Sequence, residues 1–242
     1  MIYKVDLAGH ELRFRLREKW TRFEFGAFLK PADGEEYDVY ADDARMARFR
    51  AALPEGVTEH YVEFHCLMGA SSLKLIEHGR CLFHAVAMEY RGRAWLLTAA
   101  SGVGKTTQLK NFMRLFPGEA SVICGDMPVI EARDDGSVWV HCSPWNGKER
   151  ISGLGNRARL GGIVLLEQAK ENALEELSPQ DAVMPVFRQF TVRPENKEQI
   201  ELLAKLTERV CSAAPMYLFR NLGDDASTAM LKELFDKLRK GE

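Results

Sequence analysis

The sequence lacks a surplus of either charge and has no long hydrophobic run. Lysine and arginine together number 33, and aspartate and glutamate number 35, which leaves a net charge of −2 at pH 7. This balance argues against a basic surface that coats nucleic acid, so we expect no nucleic-acid partner. No apolar stretch approaches the roughly 20 residues that a membrane-spanning helix needs, so we expect no membrane partner either.

Paired cysteines and an amino-terminal apolar segment are also missing. No two cysteines form a Cys-x-x-Cys pair, and their number is odd, which argues against a disulfide framework or a zinc ribbon. The first twenty residues alternate polar and apolar side chains and lack the apolar centre of a signal peptide. We therefore expect a cytoplasmic protein with free thiols. The five cysteines are Cys66, Cys81, Cys124, Cys142 and Cys211.

What the chain does have is enough apolar sequence for a sizeable core, since 46% of its 242 residues are hydrophobic. Near the amino terminus, apolar residues alternate over 3–7 and again over 12–16, which predicts a β-hairpin. We expect a smaller α+β region of hairpin and helices over 1–79, either separate from the rest or integrated with it. A core with carboxy-terminal helices is expected over 80–242.

The chain alternates between short strand patterns and helix patterns. Strands are predicted over 82–88, 94–98, 121–124, 127–133, 138–142, 162–166 and 216–219. Helices are predicted over 40–53, 58–78, 106–116, 179–190, 195–213 and 225–240. Asp134-Asp-Gly136, between two of the strands, is a strong hairpin signal, and hairpin strands are antiparallel. We therefore predict an α/β fold with a mixed sheet and helices on its faces.

The most specific motif is Ala99-Ala-Ser-Gly-Val-Gly-Lys-Thr106, which lies between a predicted strand and a predicted helix. It matches the phosphate-binding pattern G-x-x-x-x-G-K-[ST], the Walker A motif or P-loop, except that alanine replaces the first glycine. Gly102 and Gly104 allow backbone N–H groups to converge on phosphate oxygens, and the start of the helix attracts the same anion. The other interpretation is a glycine-rich turn that only connects the strand to the helix.

The motif predicts a nucleotide site and assigns roles within it. Lys105 supplies a mobile cation to the β- and γ-phosphates, which makes it a catalytic candidate, and the Thr106 hydroxyl is placed to ligate Mg²⁺. We expect ATP and Mg²⁺ to bind, although the sequence also allows GTP or pyrophosphate as the phosphate donor. The predicted nucleotide-binding residues are Ser101, Gly102, Val103, Gly104, Lys105, Thr106 and Thr107.

Two acidic residues at the ends of predicted strands are candidates for a catalytic carboxylate. Asp126 follows the first strand after the P-loop helix, where P-loop enzymes place a carboxylate that binds Mg²⁺ or contacts the nucleophile. A plain turn aspartate is also common at such a position. Glu167 ends the strand predicted over 162–166 and is the rival metal ligand or water-positioning group, unless it is simply exposed to solvent.

Four segments together resemble the HPr kinase/phosphorylase family. They are the P-loop, His84 in Leu82-Phe-His-Ala-Val-Ala87, Cys124-Gly-Asp-Met-Pro-Val-Ile130 and Pro144-Trp-Asn-Gly-Lys-Glu149. The resemblance covers about 80–175. It implies a mixed-sheet P-loop core of the type shared by HPr kinase and phosphoenolpyruvate carboxykinase, preceded by a smaller amino-terminal α+β region. It also implies self-association.

The resemblance implies roles for particular residues as well. Asp126 would be a catalytic residue and would share Mg²⁺ with Thr106. His84 would be catalytic by sensing pH or orienting the acceptor, whereas the alternative is a histidine that is satisfied in the core. Lys148 and Glu149, which match the family segment, would contact the acceptor. Arg150 is a further cation of the same glycine-rich loop that could clamp phosphates or an anionic acceptor, and the alternative is a solvated, mobile loop. These substrate residues are Lys148, Glu149 and Arg150.

The sequence leaves two functions open. The first is an ATP-dependent kinase resembling HPr kinase, a phosphotransferase that moves the γ-phosphoryl group to a hydroxyl of a small molecule or peptide. The second is a non-catalytic ATP-binding module that regulates a protein partner. Gly125 stands where the family carries the first of two paired aspartates, which favours the module. The Pro-Trp-x-Gly-Lys-Glu segment favours the enzyme, because a sensor needs no acceptor site.

Overall fold

The computed structural model describes residues 1–240, which form a mixed α/β fold. The strands are β1 (Ile2–Leu7), β2 (His10–Arg15), β3 (Lys30–Pro31), β4 (Val39–Tyr40), β5 (Arg80–Leu82), β6 (Val86–Tyr90), β7 (Arg93–Thr98), β8 (Ala120–Cys124), β9 (Val129–Ala132), β10 (Val138–His141), β11 (Arg157–Gln168), β12 (Ala173–Leu177) and β13 (Met216–Asn221). The α-helices are α1 (Lys19–Phe25), α2 (Asp43–Arg50), α3 (Glu59–Ile76), α4 (Lys105–Leu115), α5 (Pro179–Phe187), α6 (Lys197–Ala213) and α7 (Asp225–Lys240). Among residues 1–240, no helix is both long and apolar enough to cross a membrane.

The first sheet has four strands in the order β3-β1-β2-β4. Its centre is the predicted hairpin, and the two-residue turn adopts positive φ at Ala8 (59°) and Gly9 (78°), which is the backbone twist that a tight hairpin requires. The alternating apolar side chains of β1 and β2, such as Val5 and Phe14, are fully buried and pack against α3 residues such as Leu67.

The second sheet has nine strands and is mixed, as the sequence predicted. Seven of them follow the order β5-β9-β10-β11-β7-β6-β8, while β13 pairs with β11 and β12 pairs with β13. β11 is parallel to β7 and β13, and the other pairs are antiparallel. The sheet curls, since Ser152, between β10 and β11, forms a bridge with Cys124 at the end of β8.

Helices cover both faces of this sheet. On one face, α4 and α7 pack on the outward side chains of β6, β7, β11 and β13, and Trp95 stacks on Phe235 with ring centroids 4.1 Å apart. On the other face, α5 and α6 pack on β5, β9 and β10. The amino-terminal sheet and α3 share a third cluster with Leu82, Val129 and Trp145. The first region of the chain, residues 1–79, therefore packs directly against the second sheet.

The strand predicted over 82–88 was wrong as one continuous strand. β5 ends at Leu82 and pairs with β9, whereas β6 begins at Val86 and pairs with β7 and β8. In between, the His84 N–H donates to the Gln189 carbonyl at 2.8 Å and the Ala85 N–H donates to the Asp126 carbonyl at 2.9 Å. The chain breaks here because distant segments bind these backbone groups, which the apolar sequence does not reveal.

Two further elements differ from the sequence prediction. The helix predicted over 40–53 begins at Asp43, because Val39 and Tyr40 pair with β2 and the Asp42 carboxylate accepts the Arg45 N–H at 2.8 Å as an N-cap. β11 begins at Arg157, well before the predicted 162–166. Helix α1 and strand β12 were not predicted at all.

Candidate active site

Three segments meet at one edge of the second sheet. β6 is antiparallel to β7, and β8 is antiparallel to β6, so the start of β6 and the ends of β7 and β8 lie at the same edge. This topology brings together His84, the loop that follows β7 and Asp126. All three line one cleft of about 1050 Å³, which the first region of the chain borders on its other side.

The loop between β7 and α4 has the backbone that the glycines predict. Gly102 and Gly104 adopt φ of +83° and +118°, values that residues with a side chain rarely reach. Helix α4 starts at Lys105 and has Gly104 as its N-cap, with no side chain bonded to the first-turn N–H groups. These amides are therefore placed to bind an anion.

The ammonium of Lys105 is the buried cation of this loop. Its side chain is buried, and Nζ donates to the carbonyls of Ala99 at 3.0 Å and Ala100 at 3.4 Å. Burial lowers the pKa of Lys105, and the negative charge of Asp126 partly opposes that shift. The two groups therefore stabilise each other's charged forms inside the cleft.

His84 and Asp126 form a pair beside this cation. His84 Nε2 lies 3.7 Å from Asp126 Oδ1, and their side chains are 25% and 31% exposed. Burial, with a further contribution from the charge of Lys105, lowers the pKa of His84 to about 4, and a hydrogen bond with Gln189 opposes the shift. Burial raises the pKa of Asp126, whereas Lys105 opposes it. The imidazole is therefore neutral at pH 7, next to a carboxylate that is more basic than usual.

Two glycines fix the surroundings of Asp126. A Cβ at Gly125 would lie 2.6 Å from the Ile151 carbonyl oxygen and 2.9 Å from that of Asn146. At Gly147, whose φ is +71°, a Cβ would lie 3.0 Å from Asp126 Cβ. Segment 146–151 therefore packs closely on the Gly125-Asp126 backbone, and no second carboxylate fits at position 125 without moving it.

The predicted substrate residues Lys148, Glu149 and Arg150 all line the cleft. Two of them, however, form ion pairs that hold their loop in place. Glu149 accepts from Lys110 of α4 at 2.7 Å, and Arg150 pairs with Glu24 of α1. The loop therefore links the helix after the P-loop to the first region of the chain.

The other predicted site residues are divided between the cleft and its exterior. Ser101, Gly102, Gly104, Thr106 and Thr107 line the cleft. Val103 is not among the described lining residues, but its carbonyl accepts from Gln168 Nε2 at 3.5 Å. Glu167 also lies outside the cleft lining, and its carboxylate is 3.6 Å from Arg220 Nε.

The donors at the cleft fit a magnesium ion that arrives with a nucleotide. Thr106 and Asp126 offer oxygen ligands in the same cleft, and Mg²⁺ in phosphoryl-transfer sites is bound by one or two protein oxygens together with substrate phosphates. Within residues 1–240, no group of three or more His, Cys, Asp or Glu side chains is arranged for a metal. A resident metal centre formed by such a cluster is therefore not part of the described structure.

Sequence reasoning missed the part of the cleft lining that α1 and α3 supply. Phe23, Glu24 and Phe25 of α1 and Tyr61 and Phe64 of α3 line it. Nothing in the local sequence marks these residues, because they meet the cleft through contacts with residues about 80 or more positions away, such as Phe64 with Trp145. The sequence did contain one relevant feature, Trp145 in Pro-Trp-Asn-Gly, but it does not show which residues that side chain contacts.

Similarity to known proteins is confined to the level of structure. No protein-family model matches the chain, and no curated protein matches it. Among solved structures, it is similar to the HPr(Ser) kinase/phosphatase from Coxiella burnetii, with 11% sequence identity and a TM-score of 0.39, over 66% of this chain and 91% of that chain. A likeness at this level says nothing about activity.

Proposed function

We propose that this protein is an ATP-dependent kinase that transfers the γ-phosphoryl group to a hydroxyl of a small molecule or peptide. The observation that carries the proposal is the meeting of the P-loop, Lys105, His84 and Asp126 in one cleft at one edge of the sheet. Phosphoryl transfer depends mainly on positioning and on charge stabilisation, and it needs a phosphate cradle, a cation and a carboxylate near the acceptor.

The nucleotide would bind through its phosphates. Backbone N–H groups of 101–107 and the start of α4 would hold the β- and γ-phosphate oxygens, and Lys105 would move from the loop carbonyls to the phosphates. Thr106 and Asp126 would hold the Mg²⁺ ion, which supplies neutralisation of phosphate charge when bound.

Asp126 would then take the proton of the acceptor. As the hydroxyl oxygen bonds to the γ-phosphorus, the bond to the β–γ bridging oxygen breaks, ADP leaves, and the hydroxyl proton passes to the Asp126 carboxylate. His84, which is neutral at pH 7 because its pKa is about 4, would orient the carboxylate or the acceptor without adding a positive charge.

A second function, regulation of a protein partner by bound ATP without transfer, is favoured by Gly125. The backbone of segment 146–151 occupies the space that a second carboxylate would need there. In that case the protein would bind Mg·ATP and change its affinity for the partner, and no acceptor would be phosphorylated.

The experiment that separates the two functions is transfer from γ-labelled ATP to a panel of hydroxyl compounds and peptides, with Asp126→Asn as the variant. The amide keeps the shape of the carboxylate but loses its charge and basicity. Since a placed general base typically contributes about 10²–10⁴-fold, we expect Asp126→Asn to lose at least about 100-fold in turnover, with a much smaller loss of ATP affinity.

Glu167→Gln is the matched control for this experiment, because Glu167 lies outside the cleft lining and should affect turnover only mildly. Normal turnover in Asp126→Asn with lost turnover in Glu167→Gln would show that the carboxylates are wrongly assigned. No transfer by the parent protein, together with ATP-dependent binding of a partner, would replace the kinase with the regulatory module.

A further inference from the structure

We infer that the acceptor is a hydroxyl compound with an aromatic body, which binds on a wall of rings supplied by α1, α3 and Trp145. We call this wall the aromatic shelf; it consists of Phe23, Phe25, Tyr61, Phe64 and Trp145, all of which line the cleft. The inference deepens the proposed kinase function and rests on it, since it names the class of acceptor that the same cleft would take.

The inner part of the shelf is a rigid cluster of rings. The Phe25 ring meets those of Trp145 and Phe64 edge to face, with centroids 5.2 and 5.6 Å apart, and Phe64 lies 5.9 Å from Trp145. Trp145 Nε1 donates to the Phe64 carbonyl at 3.0 Å. Edge-to-face pairs and a satisfied indole N–H hold such rings in fixed orientations. Since Phe25 and Trp145 are only 1% and 2% exposed, they support the shelf from behind, and the more exposed rings are the ones that a ligand would contact.

The outer part of the shelf offers rings that the protein covers only in part. Phe23 is 61% exposed and Tyr61 is 40% exposed. Large aromatic side chains gathered at one concave site, rather than scattered singly, mark binding sites. Phe23 meets Trp20 edge to face with centroids 5.9 Å apart, and Tyr61 lies 4.0 Å from the His65 ring. A planar ligand would bury the ring surface that these neighbours leave exposed.

The shelf lies on the side of the cleft where the acceptor hydroxyl has to be. The Met127 N–H, next to Asp126, donates to the Trp145 carbonyl at 3.0 Å, and Gly147 packs against Asp126 itself. The segment that carries Trp145 is thus fixed directly to the proposed base. A compound whose hydroxyl is held at Asp126 would therefore have the rings of the shelf available in the same cleft, while the P-loop holds the phosphates.

The charges along the shelf favour an uncharged body. Glu24 and Arg150 line this wall, but they pair with each other, and the Arg150 guanidinium lies 5.5 Å from the Phe23 ring centroid. His65 also lines the wall, and burial lowers its pKa, so it is neutral at pH 7. An aromatic ring can bind beside this pair without breaking it.

The cleft is larger than a pocket for one drug-sized ligand usually is. Its volume of about 1050 Å³ lies just above the roughly 300–1000 Å³ typical of such pockets, and the cleft has both the P-loop and the aromatic shelf in its lining.

The test is a transfer assay with paired acceptors and a double variant of the two exposed rings. The small-molecule pair is 2-phenylethanol and 1-propanol, and the peptide pair has either Phe or Ala beside a single Ser. We expect the aromatic member of at least one pair to have a kcat/KM at least about tenfold higher, and the pair that shows it identifies a free compound or a peptide as the source. In Phe23→Ala/Tyr61→Ala, we expect the acceptor KM to rise by about tenfold while the ATP KM and kcat stay near the parent values.

Tyr37→Ala is the control variant, since Tyr37 is 42% exposed and lies outside the described lining of the cleft. Equal rates for aromatic and aliphatic acceptors, or an unaffected acceptor KM in the double variant, would overturn the inference but leave the kinase intact. A rise in the ATP KM alone would also overturn it, by assigning the shelf to the nucleotide base.

A binding measurement keeps the shelf testable if no acceptor is phosphorylated, in which case the proposed kinase function fails. Saturation-transfer NMR with Mg·ADP present should show magnetisation passing from the parent protein to the ring protons of 2-phenylethanol, and this signal should disappear in the double variant. That difference between the two proteins would still support an aromatic site. A signal absent from both, or equally strong in both, would contradict it.

Discussion

The charge of Lys105 affects the pKa values of two other side chains at the cleft. Lys105 keeps a positive charge in a buried position because its loop carbonyls and Asp126 offset the cost of burial. The same ammonium helps to keep His84 neutral, and it moderates the rise in the pKa of Asp126. A change at Lys105 therefore alters the pKa of both His84 and Asp126, so its effect on activity should not be additive with changes at those residues.

His84 should make the protein less stable in acid. Its pKa is about 4 in the folded protein and about 6.5 in the unfolded chain, so between these values only the unfolded chain binds the proton. The free energy of unfolding therefore falls as pH falls from 6.5 towards 4, by on the order of 2–3 kcal/mol for this residue. Urea unfolding at pH 7 and pH 4.5 should show a smaller loss for His84→Gln than for the parent protein.

His65→Gln provides a comparison in that experiment, because burial lowers the pKa of His65 as well, but without a contribution from the charge of Lys105. We expect its effect to be smaller. Equal acid sensitivity of the parent and His84→Gln would mean that His84 is not held neutral by the fold.

At the scale of elements, the first turn of α4 lies at the cleft, and hydrogen bonds of Gln108 hold the helix in place. The buried Gln108 side chain donates to Asn221 Oδ1 at 3.0 Å and to Ser227 Oγ at 2.7 Å, and it accepts from Thr228 Oγ1 at 2.7 Å. Asn221 ends β13 and the other two belong to α7. The position of α4 therefore depends on hydrogen bonds to the carboxy-terminal part of the chain. The residue that makes them lies only three positions after Lys105.

Two lysines of α4 should behave differently towards nucleotide. Lys105 is buried at the start of the helix, whereas Lys110 is exposed and pairs with Glu149. Since a hydrogen bond to a charged group contributes about 1.5–3 kcal/mol, Lys105→Ala should weaken Mg·ATP binding by at least about tenfold, and Lys110→Ala should have little effect. Titration calorimetry on both variants measures this, and unchanged affinity in Lys105→Ala would remove the nucleotide site from this loop.

Elements with a strong local signal could be predicted from the sequence, and those that depend on distant partners could not. The first hairpin, α3 and the hairpin at Asp134-Asp-Gly136 follow from alternation, helical periodicity and turn residues, and the structure confirms them. The break at His84 depends on Gln189 and Asp126, and α1 has no strong periodic pattern. The aromatic shelf is likewise formed by residues from α1, α3 and the segment after β10, so its parts cannot be recognised one at a time.

Across the whole molecule, all five cysteines are buried and free. A thiol reagent should therefore react slowly with the native protein, because it reaches the sulfur atoms only when the chain opens. Under non-reducing conditions, the number of reactive thiols should rise to five in denaturant. A count of three or fewer in the denatured, unreduced protein would reveal a disulfide and contradict the free-thiol prediction.

The break between β5 and β6 has a consequence for synthesis of the chain. Cys81 of β5 pairs with Ile130, and the His84 backbone is held by Gln189, so neither partner exists when residues 80–90 leave the ribosome. β6 and β7 can form their hairpin early, because the turn between them is local. The edge of the second sheet that carries His84 and Asp126 is completed only after the second half of the chain has been synthesised. A nascent chain that ends before Gln189 should therefore have a P-loop but no complete cleft.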